Sequence, residues 1–164
     1  MKLIYSILLL LVCSSFAGTI NYPVAKLYAY RQKVIDGANT TYDKKTKQTN
    51  RNYVYLLIKQ NRTIQIEHVW IDGISVHFTT KEVNSPVTID AGVSLSGKAA
   101  TQQLVPATTH TVLQILTDNS NIEDSKVIPA KYKRYNVLIQ YREGSSVFFL
   151  GTHNPKTVAA KANQ

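Results

Sequence analysis

Residues 64–80 read Ile64-Gln65-Ile66-Glu67-His68-Val69-Trp70-Ile71-Asp72-Gly73-Ile74-Ser75-Val76-His77-Phe78-Thr79-Thr80. Two runs rich in β-branched and aromatic residues flank Asp72-Gly73. Such residues suit a pleated, half-buried surface. Asp-Gly supplies the two positive-φ positions of a type I′ turn, whose twist matches antiparallel strands. The stretch therefore predicts a hairpin closed by a two-residue loop. That loop sets a register in which Ile71 faces Ile74, Trp70 faces Ser75, Val69 faces Val76 and His68 faces His77. Side chains alternate between faces, so His68, Trp70 and His77 share one and Val69, Ile71, Ile74, Val76 and Phe78 the other.

Moving towards the N-terminus, a turn at Gln60-Asn61 would pair Tyr55 with Ile66 and Tyr53 with His68. The three strands then form a meander whose one face gathers Tyr53, Tyr55, His68, Trp70 and His77. Moving towards the C-terminus, Glu143-Gly144-Ser145-Ser146 separates two apolar runs, 137–141 and 147–150, and predicts another hairpin. Further strands are expected at 25–35, 86–95 and 110–117, with a long connection at 96–109 and a polar loop at 118–126. The five prolines fall between these runs or, as Pro86, at the start of one, as expected of a residue that lacks the ladder donor. About eight short strands divided by turn signals imply an all-β chain. The expected form is a single antiparallel β-sandwich of immunoglobulin-like type over residues 18–153, with a small closed β-barrel as the alternative. Residues 154–164, with Lys156 and Lys161, read as a flexible basic tail.

Residues 1–17 read as a signal peptide. Lys2 precedes an apolar run from Leu3 to Val12, and Ser15-Phe16-Ala17 supplies small residues at a cleavage site. The run is about ten residues, short of the ~20 that span a bilayer. Lipid attachment at Cys13 is the alternative, and Val12 stands where that signal carries a small residue. Cleavage after Ala17 leaves 147 residues without cysteine, since the single Cys lies in the leader. Disulfides, thiol catalysis and thiolate metal sites are then excluded from the mature chain. The leader and the composition point to an exported protein of a Gram-negative envelope, periplasmic or associated with the outer membrane, with a secreted protein as a further alternative.

Without Lys2 the chain keeps 18 basic against 10 acidic residues, a net charge of +8. Two clusters carry much of it: Lys44, Lys45, Lys47 and Arg51, and then Lys131, Lys133 and Arg134 beside Tyr132 and Tyr135. Either suits phosphate or carboxylate groups, against the simpler reading of a solvated surface. No nucleic-acid-binding motif is present. His68 and His77, if opposed, would place two imidazoles within reach of one metal ion, but a catalytic zinc takes three protein ligands and no third is apparent. The chain has no Gly-x-Ser-x-Gly elbow, no His-Glu-x-x-His and no phosphate loop. The expectation is therefore a protein that is not an enzyme and needs no cofactor. It would be a binding or assembly subunit that meets another envelope protein through a sheet face or edge. The alternatives are a module for glycans, anionic polymers or a membrane surface, and a small metal-binding protein or enzyme using His68 and His77.

Intact-mass measurement of the protein from the cell envelope is expected to give a chain beginning at Gly18. A lipid-modified chain beginning at Cys13 would contradict this.

Overall fold

The computed structural model describes residues 21–36, 48–93, 99–122 and 127–163. They form ten strands: β1 (Val24–Asp36), β2 (Gln48–Ile58), β3 (Gln65–Ile71), β4 (Ile74–Val83), β5 (Val87–Val93), β6 (Ala99–Val105), β7 (Thr111–Ile122), β8 (Val137–Glu143), β9 (Ser146–Thr152) and β10 (Lys156–Asn163). A 3-10 turn, Ala130–Tyr132, precedes β8. Eight strands make one sheet in the order β10-β1-β2-β7-β4-β3-β8-β9, and β5 pairs with β6 alone. All pairings are antiparallel except β1 with β10. The chain is thus all-β, and its large sheet curls so that its two halves face each other.

Alternation along each strand explains the curl. Ala29 of β1, Val54 and Leu56 of β2, Ile115 of β7 and Val76 of β4 point inward from one half. Val69 and Ile71 of β3 with Val137, Ile139 and Tyr141 of β8 point inward from the other and join the same apolar cluster. Neither half buries these side chains alone; facing each other they exclude water, at roughly 1.5–3 kcal/mol for each large aliphatic side chain. At the far seam Tyr22 meets Phe148 of β9 edge to face, with ring centroids 5.9 Å apart.

The outer faces are apolar too, and each has a cover. On β1, β2 and β7 the outward residues Tyr30, Tyr55, Leu57 and Val112 pack with Leu104 and Val105 of β6 and with Val158 of β10. On β3 and β8 the outward residues Trp70 and Leu138 pack with Ile128, and Tyr132, Tyr135 and Phe149 close round them.

Several expectations are corrected here. Residues 156–163 are not a loose tail: they form β10, pair with β1 and bury Val158. The connection 96–109 contains β6, and β7 runs on to Ile122 through the predicted polar loop. The hairpin at 143–146 forms with Glu143 opposite Ser146 and Gly144 at φ 56°. The larger correction concerns the meander. A turn does occur at Gln60-Asn61: Asn61 has φ 60°, and the Arg62 N–H donates to the Lys59 carbonyl at 3.3 Å. The chain then crosses to the other half of the sheet instead of folding back on β2. Both edges of β2 are already occupied, by β1 and β7.

Gly151 of β9 lies under Tyr135. A Cβ there would sit 2.8 Å from both Tyr135 Cδ1 and the Val137 carbonyl oxygen. The backbone oxygen cannot swing away, so Gly151→Ala is expected to cost about 1–3 kcal/mol. Thermal unfolding should show a fall of roughly 2–4 °C per kcal/mol for a chain of this size.

Candidate functional site

Asp72 and Gly73, at φ 50° and 84°, form the two-residue turn read from the sequence. Ile71 pairs with Ile74 and Trp70 with Ser75, as the register requires. The ladder ends there. From Val76 onward β4 pairs with β7, and below Trp70 β3 pairs with β8. The hairpin therefore opens into a fork. Among the described residues no strand covers the edge of β4 over 76–83, or the edge of β3 that faces it.

The fork leads into a cavity of about 320 Å³. Ile64 and Ile66 line it from the β3 side, Phe78, Thr80 and Glu82 from β4, and Leu113 from β7. Ile64, Ile66, Phe78 and Leu113 also pack against the main core, so the cavity floor is continuous with the interior. Arg62 stands at one end, where its Nη1 donates to both carboxylate oxygens of Glu143 at 3.0 and 3.1 Å. Glu82 is exposed on β4. Among the described residues, the arrangement places a strand edge without a strand partner beside an apolar trough. These are the two elements needed to hold an extended polypeptide.

The closed end of the fork is stiffened by Asp72. Arg31 of β1 donates to Asp72 Oδ2 at 2.7 Å, and Asn136 Nδ2 donates to Oδ1 at 3.0 Å. Partial burial alone would raise the Asp72 carboxyl. The hydrogen bonds from Arg31 and Asn136 and the Arg31 charge outweigh it and hold the carboxyl below its ordinary 3.8. On the outside of β3 a bulge between Ile66 and His68 leaves Glu67 as an extra residue. The bulge lets Glu67 accept from Gln140 at 2.6 Å and from Arg142 at 2.7 Å. These bonds, that from Gln140 first, hold the Glu67 carboxyl below its ordinary range.

The residues singled out in the sequence do not form one face. His68 lies opposite Gln140 and His77 opposite Asp118, so the two imidazoles are not cross-strand partners. β3 and β4 have separated before they reach that rung. Among the described residues no group of three His, Cys, Asp or Glu side chains is placed to hold a metal ion. His68 stays beside Trp70, with ring centroids 5.6 Å apart, and His77 is exposed. Tyr53 and Tyr55 belong to the other half of the sheet. Tyr55 is buried beneath β6, where desolvation, with Tyr53 and Tyr30 adding to it, pushes its hydroxyl up to about 12. Tyr53 donates to Gln32 Oε1 at 2.8 Å. Trp70 is core, 1% exposed. Of the first basic cluster, Arg51 is an exposed residue of β2, and Lys44, Lys45 and Lys47 lie outside the described residues. Lys131, Lys133 and Arg134 are exposed on the turn that covers Trp70.

A second cavity brings Ser85, His110 and Glu82 together. The Ser85 hydroxyl is committed to the backbone of Thr108, donating to its carbonyl at 3.0 Å and accepting from its N–H at 3.1 Å. No family model, characterised protein or solved structure matches the chain. The functional reading therefore rests on the geometry of the fork and of the surfaces around it.

A carboxyl held low in the folded state stabilises the fold fully above its ordinary value, and that stability is lost as pH falls through the folded value. Asp72→Asn keeps a side chain that tolerates positive φ but removes the charge. The wild type is expected to melt above this variant at neutral pH, and the difference should shrink as pH falls below about 3.8, the ordinary Asp72 value. Parallel melting curves from pH 6 to pH 2.5 would show that Asp72 contributes nothing through its charge.

Proposed function

We propose that this chain is a non-catalytic binding subunit that acts outside the cytoplasm. It receives an extended segment of another envelope protein in the fork between β3 and β4. One observation carries the reading: β4 parts from β3 after two rungs and, among the described residues, leaves an edge without a strand partner beside an apolar cavity. Exposed strand edges are templates for pairing, and proteins usually shield them. Backbone pairing along β4 would supply affinity. Alternate side chains entering the trough against Ile66, Phe78 and Leu113 would supply selectivity.

The placement in the envelope rests on the leader, with its Lys2, apolar run and Ser15-Phe16-Ala17. The reading also takes the curled sheet as an open barrel rather than an immunoglobulin-like sandwich. The unbroken strand order from β10 to β9 and the approach of Tyr22 to Phe148 across the seam support that choice.

Thr80 is exposed and lines the cavity, so Thr80→Trp fills the trough without opening the core. A displayed library of random peptides selected on the wild-type protein is expected to enrich sequences that alternate apolar and polar residues. Their binding should protect amides of 76–83 from hydrogen exchange and should weaken at least tenfold on Thr80→Trp, about 1.4 kcal/mol. Enriched peptides that bind both forms equally would place the contact elsewhere.

A further inference from the structure

The segment from Val127 to Asn136 covers the outer face of β3, β8 and β9. Ile128 is its anchor, buried against Trp70 and Leu138. The chain then winds as successive three-residue turns. The Tyr132 N–H donates to the Pro129 carbonyl at 2.8 Å, Lys133 to Ala130 at 3.4 Å and Tyr135 to Tyr132 at 3.0 Å. In such a turn side chains three apart lie on the same side. Tyr132 and Tyr135 accordingly both face the sheet, with Tyr132 stacked on Phe149 at 4.6 Å and Tyr135 on His153 at 4.3 Å. The Asn136 N–H donates to the Thr152 carbonyl, and His153 Nδ1 lies 2.9 Å from the Arg134 carbonyl, which ties down the end of the segment.

The same period places Lys131 and Arg134 on a second ridge. Lys131 Nζ lies over the Tyr132 ring at 4.7 Å, and the Arg134 guanidinium lies over the Tyr135 ring at 5.6 Å. The motif Lys131-Tyr132-Lys133-Arg134-Tyr135 is therefore two cation-on-ring units, about 6 Å apart along the turn, with Lys133 between them in sequence and on a third ridge. Among the described residues none of these three cations forms a salt bridge. The acids on neighbouring elements are engaged elsewhere, Asp72 by Arg31 and Asn136 and Glu67 by Gln140 and Arg142. Cations held on rings by a fixed backbone lose little freedom when they bind, which favours affinity.

We propose that this turn is a docking surface for an acidic polysaccharide, a chain carrying carboxylate or sulfate groups at regular intervals. Each cation stands over its own ring, so two positive charges are displayed side by side on an ordered surface. A polymer with repeated anions gains from both Lys131 and Arg134 along one chain, an advantage that a single small anion lacks. A membrane surface is the poorer fit. Interfacial binding gains most of its strength from apolar side chains that enter the lipid, and the rings here are turned onto the sheet with Val127 the one large exposed apolar residue of the segment. The surface lies away from the fork and does not depend on it.

The test measures binding of the full mature chain to two soluble polymers, polygalacturonate and a sulfated glycosaminoglycan, and to vesicles of phosphatidylglycerol. Lys131→Gln with Arg134→Gln is expected to weaken polymer binding about tenfold or more, with a melting temperature lowered by no more than a few degrees. Lys33→Gln with Lys81→Gln, exposed cations elsewhere, and Thr80→Trp in the fork should each leave polymer binding within about twofold. Equal losses in both charge pairs would show that net charge alone is responsible and would overturn the proposal. So would wild-type protein that binds neither polymer, or that binds the vesicles and ignores the soluble chains.

Discussion

Two rungs of backbone pairing, Trp70 with Ser75 and Ile71 with Ile74, join the two halves of the curled sheet. A type I′ turn favours tight twist, and here the twist carries β3 and β4 onto opposite walls before a third rung forms. That divergence brings Val76 and Val69 into a core between facing walls instead of a flat shared surface. It also leaves β7 as the neighbour of β4 and β8 as the neighbour of β3. The core, the strand order and the open cavity all follow from where this one hairpin parts.

The charged residues reinforce the places where the chain crosses between halves. Arg31, Asp72 and Asn136 link β1, the hairpin turn and the start of β8. Arg62 and Glu143 link the loop after β2 to the β8–β9 turn. Both pairs are partly exposed, and exposed ion pairs contribute little to stability one by one. Their value lies in position. They fix the two ends of the fork and so hold Ile66 and Phe78 apart across the cavity.

The two outer faces illustrate how a sheet apolar on both sides finds cover. The β1–β2–β7 face is roofed by the β5–β6 ribbon, with the Tyr30 hydroxyl donating to the Leu104 carbonyl. The β3–β8–β9 face is roofed by a turn of about ten residues that spends its aromatics inward and its cations outward. A cover built this way buries tyrosine rings and also displays positive charge on a rigid support.

The sequence by itself determined the all-β class, the Asp72-Gly73 turn, the hairpin at Gly144-Ser145 and the turn at Gln60-Asn61. Each depends on residues adjacent in the chain: positive φ at a tight turn, and the period-two pattern of the strands beside it. Tertiary structure alone decided which strands became neighbours. Nothing between Ile58 and Gln65 signals that β7, some fifty residues later, takes the edge of β2 that the meander assigned to β3. The aromatic face was lost for the same reason. Tyr55 and Trp70 each sit where their own strand's alternation demands, but on different halves under different covers. The bulge that turned Glu67 towards Gln140, and the burial of Val158 in β10, likewise arise from long-range packing that a local pattern cannot encode. The Lys131–Arg134 cluster was legible as charge. Only the folded turn, by seating Tyr132 on Phe149 and Tyr135 on His153, decided that the cations stand on ordered rings.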